Sequence, residues 1–302
     1  KTKLNIRCNL INFEGGFSEE KYVKELTRKF KQKYFLNTYV KKDFLNDFEK
    51  LIFKQEGFIA GLHNVAFENL YRHLFNNKMR VLLDGTGLDE SFGGYRVHQL
   101  HYLCKLREKN INLYANKAAE FCKVWKTSVK NLNRSIDLIN NDKNLSIDGS
   151  KINNLSLVEK HFLKKDEFNY KNLKNHYFDF IKNTKIPRNL GIKDRHSMSY
   201  SIETRLPFMD HRLIQFGLNF KSDEIFKYGF TKFPIRKVME GKIPHKVLYS
   251  QKRDIQNPQT IWFKQKPIYN FIYDCVSSRS FKERGFYDYK KTLRIIKSFK
   301  EK

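Results

Sequence analysis

Apolar and polar positions alternate between two periods along the first 95 residues, as strands and helices following one another would require. The run LNIRCNLINF is apolar and β-branched and predicts a buried strand. Gly15 and Gly16 make a turn, and Ser18 is placed to cap a helix that carries Tyr22, Leu26 and Phe30 at a spacing of four. FLNTYV predicts a second short strand. DFLNDFEKLIFKQ and NVAFENLYRHLFNNK have helical spacing, the latter through Val65, Leu70, Leu74 and Phe75. Val81-Leu82-Leu83 is a third, continuous apolar strand, read as buried, that runs into a glycine turn. Such alternation predicts an α/β fold: a parallel sheet with flanking helices.

The pattern changes after residue 95. Long stretches rich in Lys, Asn, Leu and Phe read as helical, and helical signals continue to the C-terminus between scattered prolines. SIDLINNDKNLSIDGSKINNLS is polar and turn-rich and is expected to be a mobile loop. The organisation expected is an α/β nucleotide-binding portion at 1–95 and a mainly helical portion at 96–302 folded against it, without two independent domains. No internal repeat is visible.

Composition narrows the class. The 302 residues carry 59 Lys+Arg against 32 Asp+Glu, a net charge of +27. Such a charge invites a nucleic-acid reading, because cationic proteins bind phosphate backbones through counterion release. Codon bias competes with that reading, because Lys, Asn, Ile, Phe and Tyr are all abundant. Residues 221–302 hold 20 basic and 8 acidic groups, yet no compact basic block stands out, so no nucleic-acid partner is expected; an inactive fragment or a basic nucleic-acid-binding protein is the alternative of another class. No apolar run approaches a membrane span of about 20 residues. The opening residues lack the apolar core and cleavage site of a signal peptide, so the expected setting is cytoplasmic. The four cysteines lie far apart and suggest buried free thiols, not a disulfide framework. His98 and His101 are too few to make a metal site.

Three segments carry candidate chemistry. The first, DGTGLDESFGGY, starts at Asp84, directly after the third strand. Ligands of open α/β sheets bind beyond the carboxyl ends of strands. Gly85 and Gly87 allow close backbone approach, and Asp89 could hold a Mg²⁺ that bridges phosphate oxygens; an ordinary turn with acids at a helix start reads the same spacing equally well. The second, KDRHSMSYSIETRLPFMD, places Glu203 and Arg205 on one side of an extended segment. The third runs from Thr231 through KFPIRKVMEGKIP to Gln251-Lys252-Arg253, with bases that could line an anion site or a solvated surface.

Taken together and in this order, the segments resemble the synthetase domain of the glutamine-hydrolysing asparagine synthases. DGTGLDESFGGY is similar to that family's glycine-rich acidic motif, and DRHSMSYSIETRLPFMD matches its second motif almost unbroken. KFPIRKVMEGKIP, QKR and Pro258 to Trp262 follow the third. The resemblance implies an ATP pyrophosphatase-type domain covering 1–302, partial at its N-terminus. It implies activation of a carboxylate by ATP with Mg²⁺, then attack by ammonia from a glutaminase domain or subunit. By the same resemblance, Asp84, Gly85, Thr86, Gly87, Asp89 and Lys232 border the nucleotide and its pyrophosphate, and Asp89 carries the metal. Lys252 would contact pyrophosphate and the acyl group, Glu203 and Arg205 would form the active-site wall, and Arg236 would face phosphate. Homodimerisation is left open.

The departures also carry expectations. The family's Ser-Gly-Gly phosphate loop has no copy in the chain, and neither does the glutaminase domain. The chain is therefore expected to need parts supplied elsewhere. Thr86 stands where asparagine synthases carry Glu and relatives Gln, and a threonine is no general base near neutral pH. An acyl substrate other than aspartate, such as a sugar acid of surface polysaccharides, is the alternative that Thr86 raises. Gln251 for Arg and Met209 for Leu are minor changes.

Overall fold

The computed structural model describes residues 7–15, 18–57, 59, 61, 63–141, 173–251 and 258–301. The chain divides into two compact units, one of residues 1–141 with 170–257, the other of 142–169 with 258–302. The segment expected to be a loop falls largely outside the described residues; its first part, from Ser135, ends a helix.

The first unit opens with β1 (Arg7–Phe13), α1 (Glu20–Phe30) and β2 (Lys33–Tyr39). Ser18 supports the start of α1, its Oγ accepting from the Glu20 amide at 3.2 Å. Only Thr27 of α1 is buried, and Phe30, expected on its apolar face, is exposed. β1 and β2 pair in parallel from Arg7↔Lys33 to Phe13↔Tyr39. Next come α2 (Phe44–Gln55), α3 (His63–Asn76) and β3 (Val81–Leu83). Val65, Leu70 and Leu74 of α3 are buried as the spacing predicts, while Phe75 is exposed.

β3 leads through the glycine turn into α4 (Leu88–Ser91), then α5 (Arg96–Lys109), α6 (Ile111–Trp125) and α7 (Val129–Asn141). Asn110 caps α6, its side chain accepting from the Leu113 amide at 2.9 Å. After them come α8 (Leu173–Lys182), α9 (Lys185–Met198), β4 (Glu203–Arg205) and α10 (His211–Asn219). Three short helices finish the unit: α11 (Ser222–Ile225), α12 (Phe233–Met239) and α13 (His245–Leu248). The fold is thus α/β with a small parallel sheet component and many helices, as predicted.

β4 pairs in parallel with β3, Val81 opposite Glu203 and Leu83 opposite Arg205. Among the described residues the four strands form two separate two-stranded sheets. Both rest on one cluster, in which Leu70, Tyr71 and Leu74 of α3, with Ile202, meet Ile11 of β1 and Leu82 of β3. Here the structure corrects the sequence reading: β3 forms, but its outer side chains are not buried. Val81 is 45% exposed and Leu83 67%. Parallel strands are normally covered on both faces and paired on both edges; β3 has a described partner on one edge only.

The larger core is helical. Leu100, Leu103, Tyr114, Phe121, Leu132, Ile136, Tyr177 and Phe226 pack together, and Phe121 is fully buried. A charged network lies under the sheets. The Glu68 carboxylate, completely buried, receives Lys54 at 2.5 Å, stands 2.9 Å from His196 Nε2 and accepts the Tyr200 hydroxyl. Burial alone would raise the Glu68 pKa, but these three partners prevail and bring it to about 2. Gln55 and Ile192 share a bond at 3.0 Å, so α2, α3 and α9 are fastened by polar bonds as well as by packing.

The second unit contains α14 (Gln259–Trp262), α15 (Ile268–Ser277), α16 (Arg279–Arg284) and α17 (Tyr289–Glu301). Trp262, Ile268, Tyr269 and Val276 are buried, and the Lys300 ammonium lies 4.8 Å from the Tyr269 ring centroid. Among the described residues no helix is long and apolar enough to cross a membrane. All four cysteines are free thiols, though Cys275 is exposed and only Cys104 fully buried.

Removing a partner from a buried ionic network strands the others. Glu68→Gln is expected to lower the unfolding free energy by about 3 kcal/mol in urea titration. Arg205→Ala, which breaks an exposed pair, should change it by less than about 1 kcal/mol.

Candidate active site

The site is built where β3 ends. The Asp84 amide donates to the Arg205 carbonyl at 3.0 Å, which extends the β3–β4 ladder by one bond before the chain turns. Asp84 then folds the turn onto itself: its Oδ1 accepts the Thr86 amide at 2.8 Å and the Thr86 hydroxyl at 2.5 Å. This is the local side-chain-to-backbone bonding that Asp favours in turns. Lys193 of α9 closes the arrangement, its Nζ lying 2.7 Å from Asp84 Oδ2 and 2.5 Å from Thr86 Oγ1. Burial would raise the Asp84 pKa, but Lys193 and the two Thr86 donors outweigh it and hold the carboxyl below its usual range.

Gly87 turns the chain into α4 at φ +99°, a backbone conformation that a side chain resists. A Cβ there would come within 2.7 Å of Met209 Sδ and 2.9 Å of the Phe208 carbonyl. Gly85, by contrast, has open space around it and no such backbone requirement. The Gly87 amide donates to Glu90 Oε2 at 3.1 Å, and the Tyr95 hydroxyl donates to Glu90 Oε1 at 2.5 Å. Glu90 is therefore consumed in holding the turn, the reciprocal half of a capping box.

Asp89 sits beside it on α4, partly exposed. Lys232, itself in the left-handed region at φ +55°, reaches its Oδ1 at 2.5 Å from the start of α12. The Gly94 amide donates to the Asp89 carbonyl at 2.7 Å, and a Cβ on Gly94 would strike the Asp89 carboxylate. The glycine pair after α4 thus serves to seat Asp89.

Asp84, Gly85, Thr86 and Gly87 form one turn, and Asp89 with Lys232 lies beside it. Lys252 falls outside the described residues. Glu203 and Arg205 reach the site only through backbone; their side chains pair with each other at 3.0 Å and are 62% and 61% exposed. Arg236, expected to face phosphate, is buried instead. Its Nε donates to the Thr231 carbonyl at 2.8 Å, and its Nη1 donates to the Leu248 and Ser250 carbonyls. A guanidinium whose donors are taken by the backbone ties α12 to the segment after α13. Lys193 was not singled out from sequence; its place beside Asp194-Arg195 was visible, but its reach to a turn 107 residues away was not.

With this geometry established, comparison with known proteins gives the class. The asparagine synthase family model matches residues 2–301, and the chain belongs to that family of ATP-dependent amide ligases. A stretch of 63 residues is 40% identical to "Asparagine synthetase [glutamine-hydrolyzing] 3" of Bacillus subtilis (strain 168). That stretch is 21% of this chain and 10% of the Bacillus protein.

Lys193→Met should remove the cation from Asp84 and cost about 2 kcal/mol of stability at pH 7. Asp84 has a folded pKa below its unfolded value, so its contribution is complete above pH about 4 and fades as the pH falls through the lower folded value. Urea titrations of both proteins should differ at pH 7 and converge in acid.

Proposed function

We propose that this chain is the synthetase part of an ATP-dependent amide-forming ligase, which adenylates a carboxylate and passes the acyl group to ammonia. In the first step the substrate carboxylate attacks the α-phosphorus of ATP and pyrophosphate leaves. In the second, ammonia attacks the acyl carbon, loses a proton and expels AMP. The observation that carries the reading is the Asp84–Thr86–Lys193 turn with the Asp89–Lys232 pair beside it, at the carboxyl end of a parallel strand.

Lys232 is suited to a phosphate oxygen, for which it would exchange the Asp89 carboxylate. Mg²⁺ fits Asp89 in one way only. Among the described residues no three His, Cys, Asp or Glu side chains could hold a metal together. A single carboxylate completed by phosphate oxygens and water is, however, a common Mg²⁺ arrangement. When bound, the ion would neutralise charge on the departing pyrophosphate.

The reading includes a phosphate loop supplied outside these 302 residues, by a longer chain or by a second polypeptide. The 302 residues carry no copy of the family's phosphate loop, and among the described residues the two parallel strand pairs share one helix without pairing to each other. Ammonia would come from a glutaminase domain or subunit. A cytoplasmic enzyme acting on small carboxylates, with no nucleic-acid partner, follows from the same reading.

The acyl substrate is aspartate or another acid, and one observation favours the second. Thr86 donates its proton to Asp84 and accepts one from Lys193, so its hydroxyl is locked in the turn and supplies no general base there.

The test is ATP–pyrophosphate exchange and AMP release across a panel of acids. The 302 residues alone should give background rates. With a strand-and-loop segment supplied in trans, exchange should appear with the cognate acid and fall at least 100-fold in Asp89→Asn. Robust exchange by the isolated chain contradicts the need for an outside loop; no exchange in either case contradicts the ligase reading. Activity with aspartate alone removes the second substrate.

A further inference from the structure

A second group of ionisable side chains lies beneath the candidate site and takes no part in it. His98 of α5 is fully buried, and among the described residues neither of its ring nitrogens has a hydrogen-bond partner. Its ring centroid lies 5.1 Å from that of His176 on α8, and His176 lies 4.9 Å from His101. Tyr177 and Phe180 of α8 close over the same ring at 4.5 and 5.1 Å, and Tyr95 at 5.3 Å.

The charges that surround this cluster favour its neutral form. His98 feels His176, Lys185 and His101, and His176 feels His101 and Lys185; all of these are cationic or become so. The Lys185 ammonium of α9 stands 3.6 Å from the Tyr95 centroid and 4.9 Å from Phe180. The nearby carboxylates are engaged: Asp179 of α8 accepts Asn183 at 3.2 Å and Thr184 at 3.2 Å, and Glu90 holds Tyr95 and Gly87. Tyr177 is also buried, its hydroxyl without a described partner.

The cluster is mechanically joined to the site. A Cβ on Gly93 would come within 2.7 Å of the Tyr177 hydroxyl, so α8 packs directly on the glycine pair. The second glycine of that pair, Gly94, bonds the Asp89 carbonyl. Tyr95, packed on His98, bonds Glu90, which fixes Gly87. We infer that the His98–His101–His176 cluster is an acid-sensitive latch: protonation drives α8 from α5 and releases the Gly93–Gly94 turn that seats Asp89. It rests on none of the proposed chemistry.

The sign follows from linkage. Burial, then the neighbouring cations, lowers the His98 pKa, and brings that of His176 to about 3. An opened cluster would titrate near 6.5. The closed state is therefore fully favoured above that pH and loses ground as the pH falls below it. Two imidazoles that charge only when open raise the open population by about 30-fold between pH 6.5 and 5.5, approaching about 100-fold per unit further below.

Hydrogen exchange between pH 6.5 and 5, corrected for intrinsic chemistry, reads this directly. In this window buried carboxylates such as Glu68 do not titrate. Amides of α8 and Gly94 should open about 30-fold more as the pH falls from 6.5 to 5.5, while β1 and β2 stay protected. His98→Gln/His176→Gln should flatten that dependence. A flat wild-type profile, or the same slope in the variant, overturns the latch. Should the variant fail to fold, the wild-type imidazole C2–H resonances decide: a His98 titrating near 6.5 with α8 still protected also overturns it.

Discussion

The ion pair between Lys193 and Asp84 is the constraint on which the candidate site depends. It spans the junction between a strand that ends at Leu83 and a helix that begins a hundred residues later. Without it, Asp84 would be a half-buried carboxylate at the head of an open turn, and burial would favour its neutral form. With it, Asp84 stays charged, accepts both Thr86 donors and fixes the path to Gly87. From there Glu90 holds Gly87, and the glycine pair seats Asp89 against Lys232. The three carboxylates of DGTGLDE therefore differ in what they do. Asp84 shapes the turn, Glu90 anchors it, and Asp89 pairs with Lys232.

The supporting scaffold explains how α9 can deliver Lys193 accurately. His196, three residues on, lies against Glu68, and Gln55 bonds Ile192 on the other side. The helix is held on α2 and α3 by buried polar bonds, which fix rotation as packing alone would not. Arg236 does a similar service for the third segment by bonding three carbonyls. Much of what looks like phosphate-binding charge in the sequence is used inside the protein to place other residues.

The sequence made the α/β order, the DGTG turn and the pairing of motifs legible, because periodicity and glycine placement are local signals. Val65, Leu70 and Leu74 entered the core as their spacing required. The exposure of Leu83 was not legible. An apolar strand reads as buried whatever lies beside it, and burial depends on neighbours that periodicity does not report. Arg236 was misread for a related reason: a base in a basic segment looks like a surface group until the carbonyls it serves are known. The clustering of His98, His101 and His176 needed α8, which joins α5 only in three dimensions.

In the proposed function Asp89 and Lys232 are the phosphate-facing pair. Calorimetric titration with Mg·pyrophosphate tests it most directly. Binding that weakens at least tenfold in both Asp89→Asn and Lys232→Ala, yet persists in Arg205→Ala, is the result expected. Equal affinity in all four proteins would contradict it.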